Sequence, residues 1–390
     1  MGRFFKNKML WIGLGINILV ASIFTFAFMG SMVNPTPKEL PIAVVVEDEG
    51  AKLPNGENFN LGATFAKEIQ KRDTSSVKWK ILKTKVAALE AMNEKEVYAA
   101  IVLPRDLSKN IFSLLTINPT KPSTTIIINE GMNLGGANLA LQIANSVLIT
   151  FNQQIEAQLY TQIAEMKVPI SLDMAKIISN PVSVETEKIN PVGSNSANGN
   201  TPALFTQILW MATFISSMIL FTLLKKGTEG SWTLKSFASQ IIAGVLYVVF
   251  ISGVIFLLTI RVLEVSVSNE GELFIMLVFI GLCFFFIQNT LLNWIGYPAA
   301  PLIILLFFFS TPILTMAPEL LPNVTRDYLY TWVPFRFSLE SFMDLLFFDK
   351  GLFENGIGTI GVIGLISLCL MGFAILKPVK KRHVGASEKM

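Results

Sequence analysis

Residues able to do chemistry are few and widely spaced in this chain. It holds one histidine, His383, in a basic tail, and two cysteines, Cys283 and Cys369, inside apolar runs. Neither a Ser-His-Asp arrangement nor a histidine-ligated metal can be assembled from that set. Thiols so placed read as small apolar fillers, not as a disulfide or a zinc site. The carboxylates Glu47, Asp48 and Glu49 are adjacent and could hold a cation or act as an acid/base pair, but a solvated turn after a strand explains them as well. No GxxxxGK[ST] occurs, and Gly131, Gly135 and Gly136 lack the lysine that would reach a nucleotide phosphate. Catalytic residues, cofactors and metal ligands are therefore not expected.

The polar residues that carry information are amides. Asn17, Gln240, Gln288, Asn289 and Asn293 lie in or at the ends of long apolar runs, where an unpaired amide in hydrocarbon is costly. They read first as glue between helices, with a substrate path as the second reading. The same runs hold no Asp, Glu, Lys or Arg, which argues against an ion-coupled transporter.

The 390 residues are 52% hydrophobic and only 15% charged, against roughly 25% charged in soluble chains. The deficit sits in the runs 9–32, 204–224, 236–258, 273–292, 299–316 and 357–376, each long enough to cross a bilayer as a helix. The fold class expected is a multi-pass α-helical membrane protein with six transmembrane helices. Between helices 1 and 2 the sequence inserts an extracytoplasmic α/β domain. The organisation is 1–32, a cytoplasmic N-terminus and an uncleaved first helix; 33–203, the α/β domain; 204–376, five helices; and 377–390, a basic cytoplasmic tail. Strands are expected over 41–47, 77–82, 97–103 and 124–129, and helices over 61–71, 86–93 and 135–167. The Asn/Ser/Gly/Pro-rich stretch 180–202 reads as a flexible linker. Within 317–356 the apolar pieces are too short to span, so this external segment reads as re-entrant or interfacial.

Basic residues gather in the N-terminus, the 225–235 loop and the tail, which places both termini and that loop in the cytoplasm. The small basic excess, a net charge of +3, then reflects topology and contact with lipid headgroups. A nucleic-acid partner is not needed to explain it.

The segments LPIAVVVEDEGA, LGATFAKEI, VKWKIL, EVYAAIVLPRDLSKNI and TTIIINEGMNLGGANLALQI follow one another in the external part, and the membrane part carries KKGTEGSWTLKSFASQ and PAAPLIILLFFFSTPILTMAPELLPNVTRDYLYTWVPF. In that order they resemble the permease subunits of type-2 ABC transporters, particularly the branch that includes the phage infection protein (Pip) family. The resemblance covers nearly the whole chain. It implies a plasma-membrane permease subunit of an exporter for a hydrophobic or cell-envelope-related compound, working as a homodimer or with a related permease, with ATP hydrolysed by a separate ABC ATPase subunit. It also implies that the loop carrying Lys225, Lys226, Glu229 and Trp232 meets that ATPase. The other implied reading is an ATPase-independent envelope scaffold or surface receptor, of the phage-attachment or type VII secretion accessory kind.

Overall fold

The computed structural model describes residues 18, 36–52, 58–72, 75–116, 118–166, 171–193, 195–227, 233–352 and 357–376. Asn17, Glu229, Trp232 and the tail lie outside the described residues, as does nearly all of the first apolar run. Two compact units emerge. One runs through Gly193 and takes in Met316–Arg326; the other continues from there to Thr315 and resumes at Asp327.

The first unit is built from strands β1 (Leu40–Val46), β2 (Ala51–Lys52), β3 (Asn58–Phe59), β4 (Val77–Leu82), β5 (Ala99–Leu103), β6 (Ser123–Asn129) and β7 (Ser183–Ile189), with helices α1 (Leu61–Lys71), α2 (Lys85–Asn93), α3 (Leu107–Ser113), α4 (Leu134–Met166) and α5 (Leu172–Ile178). The main sheet has the order β4-β1-β5-β6-β7. β1 pairs in parallel with β4 and β5, β5 is antiparallel to β6, and β6 is parallel to β7. β1 and β5 are aliphatic on both faces because helices cover both. Leu40, Ile42, Val44 and Ile101 meet α1, α3 and α4 on one face, whereas Ala43, Val45, Ala100 and Val102 meet Ala88, Ala91 and Met92 of α2 on the other.

Three sequence expectations change here. Of the acidic trio Glu49 is exposed, as a solvated turn requires, whereas Glu47 and Asp48 are not simply solvated. Asp48 is buried and accepts from Gly62 N at 2.9 Å, Ser108 N at 3.0 Å and Ser108 Oγ at 2.5 Å, which puts one carboxylate at the start of both α1 and α3. Glu47 accepts from Lys85 N at 2.8 Å at the start of α2, and Glu49 pairs with Arg105 at 2.5 Å. A negative charge suits each helix start. Gly136 serves packing: a Cβ there would lie 2.6 Å from the Tyr98 ring.

The stretch expected as a linker contains β7, an edge strand in register with β6 from Ser123↔Ser183 to Asn129↔Ile189. Its side chains are almost all solvent-facing, so it has no hydrophobic signature. The backbone ladder and the pairs Lys85–Glu187 and Lys188–Glu130, each 2.7 Å, hold it.

The third change concerns 317–356, which divides between the units. Ala317 is fully buried in the α/β core, Lys38 N donates to Glu319 O at 3.0 Å, and the Tyr98 hydroxyl donates to Glu319 Oε2 at 2.8 Å. The segment Met316–Arg326 is thus part of the α/β unit, although the chain reaches it only after most of the helices.

The second unit contains α6 (Thr201–Gly227), α7 (Leu234–Leu257, prolonged by a π turn Leu258–Val262), α8 (Glu270–Ile295), α9 (Ala299–Thr315), α10 (Pro334–Phe347) and α11 (Ile357–Phe373). Among the described residues five helices are long and apolar enough to cross a membrane, namely α4, α6, α7, α8 and α11. α4 qualifies by composition, yet its stripe Ala140, Ala144, Val147, Phe151, Ile155 and Leu159 is spent on the α/β core. α9 has 17 residues, at the short limit for a span. α10, with 14 residues, does not reach that limit, as expected, and packs Phe342 against Phe205 and Phe335 against Trp210 of α6.

Candidate functional site

In the helical unit, α8 is the central element. Its buried positions Leu277, Ile280, Gly281, Phe284, Phe285, Gln288, Asn289, Leu292 and Asn293 recur every three to four residues, the spacing that lines the faces of a packed helix. Small residues on the neighbours admit it closely. At Gly244 of α7 a Cβ would lie 2.2 Å from the Phe285 ring, and at Gly364 of α11 it would lie 2.6 Å from the Cys283 sulfur. Close backbone approach of this kind is how membrane helices gain contact energy without a hydrophobic drive. Cys283 fills space, as its apolar surroundings implied.

At one end of the bundle these helices share a polar seam. Gln240 Nε2 of α7 donates to Asn289 Oδ1 at 2.7 Å and to Asn293 Oδ1 at 3.3 Å, and Asn293 Nδ2 donates back to Gln240 Oε1 at 3.0 Å. Asn289 Nδ2 donates to Ser217 Oγ of α6 at 2.7 Å and to Phe285 O at 2.8 Å. The Ser217 hydroxyl donates to Gln288 Oε1 at 3.3 Å, and Gln288 Nε2 donates to Trp210 O at 2.9 Å. Gln240, Gln288 and Asn289 are fully buried. Every amide among these four thus has both its donor and its acceptor side engaged within one chain, which is the glue reading in atomic form. Burial in a low-dielectric interior makes each of these bonds costly to leave half-made.

The seam has a definite position along the helices. At 1.5 Å per residue, Gln240 is about 9 Å inside the start of α7, and Asn289 about 9 Å from the end of α8. That is the end bearing Lys225, Lys226 and the loop to α7. Lys225 Nζ lies 4.3 Å from the centroid of the Tyr297 ring, a cation–π contact that fastens the end of α6 to the link between α8 and α9. Lys226 is exposed. On the far side of the loop α7 opens with a reciprocal cap: Thr233 Oγ1 accepts from Ser236 N at 3.2 Å, and Ser236 Oγ accepts from Thr233 N at 2.7 Å. Both stems of the loop are therefore anchored.

The structure brings Gln240, Gln288, Asn289 and Asn293 together and sets Lys225 and Lys226 at the same end. Ser217 and Trp210 complete the seam but do not stand out in sequence. Their trace there is the spacing Thr206, Trp210, Thr213 and Ser217, one face of α6.

Helices long and apolar enough to cross a membrane, joined by buried amides and small-residue contacts beside a separate α/β unit, define the class as a multi-pass membrane protein. The model of the ABC-2 family transporter proteins matches residues 8–376, and the chain belongs to that family. It is also similar to the uncharacterized protein YhgE of Bacillus subtilis (strain 168), at 26% identity over 159 residues. That match takes in 40% of this chain and only 20% of YhgE. The match thus spans about a fifth of that relative's length, and what the family model shows is membership of a family of membrane transporter proteins.

Proposed function

We propose that this chain is the permease subunit of an ABC exporter that moves a hydrophobic or cell-envelope-related compound outward, as a homodimer or paired with a related permease. ATP is hydrolysed by a separate subunit. The family match across 8–376 carries this reading. The loop 225–235 is the cytoplasmic contact, both termini are cytoplasmic, and the α/β unit lies outside.

The chain's own geometry supports a route for force. A push on the 225–235 loop moves its two anchored stems, α6 and α7. Ser217 on α6 and Gln240 on α7 both bond to α8 through Asn289, so α8 follows them. In this reading the seam transmits motion and does not touch substrate. Glu229, the acid of that loop, meets a basic group on the ATPase. Truncating one partner of a desolvated charge pair costs roughly 2 to 5 kcal/mol of association.

Glu229→Lys should abolish copurification of the ATPase and the export phenotype while expression and membrane insertion stay unchanged. Retention of both, or an export phenotype indifferent to deletion of every candidate ATPase, would replace this proposal with the scaffold or receptor role.

A further inference from the structure

Immediately ahead of α6, residues 195–200 (NSANGN) form a turn with an unusual backbone. Ala197, Asn198 and Gly199 have φ values of +52°, +55° and +77°. Left-handed residues other than glycine are uncommon, and they normally occur singly. Three bonds hold this run: Gly199 N donates to Ser196 Oγ at 3.1 Å, Asn200 N to Ala197 O at 3.2 Å, and Thr201 N to Ser196 O at 3.2 Å. Ser196 is buried. Asn198 is exposed, and its carboxamide has no hydrogen bond among the described residues. The turn also ties two helices, because Asn195 Nδ2 donates at 3.1 Å to the carbonyl of Glu264, just beyond the π turn that prolongs α7. It thereby fastens the start of α6 to the end of α7, as the 225–235 loop joins their other ends.

An asparagine followed by glycine has an intrinsic reaction. The next amide nitrogen attacks the side-chain carbonyl, and glycine, having no Cβ, obstructs the approach least. Here a bond forms between Gly199 N and Asn198 Cγ as Gly199 N loses its proton to solvent base. The Cγ–Nδ2 bond breaks, and Nδ2 leaves as ammonia. Water then opens the cyclic imide at either carbonyl, giving aspartate or isoaspartate, so the net change is gain of water and loss of ammonia. Two features of the fold oppose the first step. The attacking N–H is already given to Ser196 Oγ. Ring closure also requires rotation about the Asn198 Cα–C bond, out of the left-handed conformation that the three bonds maintain.

We propose that Asn198–Gly199 is a deamidation site kept latent by Ser196, that it reacts when the turn opens, and that its isoaspartate product unties α6 from α7. Isoaspartate routes the main chain through one additional carbon, so Ser196 and Thr201 no longer meet across the turn. The inference is independent of the transport reading, because the reaction needs neither an ATPase nor a second copy.

The test follows the full-length protein in mild detergent and mildly alkaline buffer by peptide mass mapping, beside a sample denatured in urea and dodecyl sulfate. Asn198 should deamidate readily in the denatured sample and at least about five-fold more slowly in the folded one, the weight of one hydrogen bond. Equal rates, or no reaction in either sample, overturns the site. Ser196→Ala should raise the folded-state rate about five-fold, while Asn55 and Asn355, the other asparagines followed by glycine, keep their rates. Asn195→Ala, a change at an exposed side chain, should act in the same direction and with the same selectivity. No acceleration at Asn198 in Ser196→Ala, or acceleration of all three asparagines by both variants, overturns the protective role of the turn. In the isoaspartate fraction the Thr201 amide should exchange faster than in the unmodified protein; equal exchange overturns the untying.

Discussion

The Asp48 carboxylate joins the starts of two helices through three bonds to Gly62 and Ser108, so its removal leaves buried N–H groups unpaired. Asp48→Ala should destabilise the α/β unit by about 3 kcal/mol, read as a lowered melting temperature. A neutral outcome would mean that water replaces the carboxylate. In the membrane half the equivalent residue is Gln240, which bonds to both Asn289 and Asn293. Gln240→Leu should cost roughly 1 to 2 kcal/mol in detergent unfolding. Adding Asn289→Leu and Asn293→Leu should recover much of that loss, because apolar groups replacing all partners leave little unpaired. Strict additivity of the three substitutions would disprove a shared network.

Among the elements, the returning segment Met316–Arg326 has the most consequence. Burial pushes the Glu319 carboxyl up from its ordinary value, and the Tyr98 hydroxyl opposes that shift without cancelling it. The folded state therefore holds the proton more tightly than the unfolded state does. The stability this contributes is fully present below the ordinary carboxylate pKa and is lost as pH rises through the raised one. Docking of the segment should loosen over that window, seen as faster amide exchange at 317–321 in the full-length protein. Glu319→Gln keeps an acceptor for Tyr98 and should flatten the pH dependence. The same slope in both proteins would assign it to another group. Helix lengths and strands such as Leu61–Lys71 and Val77–Leu82 were legible because apolar spacing dictates them. β7 was not legible, since an exposed polar edge strand is held by a partner ladder remote in sequence.

For the whole molecule, the direction of insertion is the property to test. A periplasmic-type phosphatase reporter at Asn118 should be active and a cytoplasmic reporter there inactive; the reverse result would invert the topology proposed above. What the sequence by itself determined is class: uninterrupted apolar runs of about 20 residues read as helices in lipid, since only helices and closed barrels pair their backbone there and barrel strands are about half that length, and a stretch of near-soluble composition between them reads as a part that folds apart. Tertiary structure decided assignments that composition leaves degenerate. α4 is apolar and long enough to span, and only its packing on the sheet shows where its stripe goes. The amides were visible as isolated polar residues, yet only the crossing of α6, α7 and α8 puts Ser217, Gln240 and Asn289 within bonding distance. Met316–Arg326 follows α9 in the chain but is completed by Lys38 and Tyr98. Periodicity reports which face of an element is buried; it does not report what that face meets, because the partner is chosen by packing between segments remote in sequence.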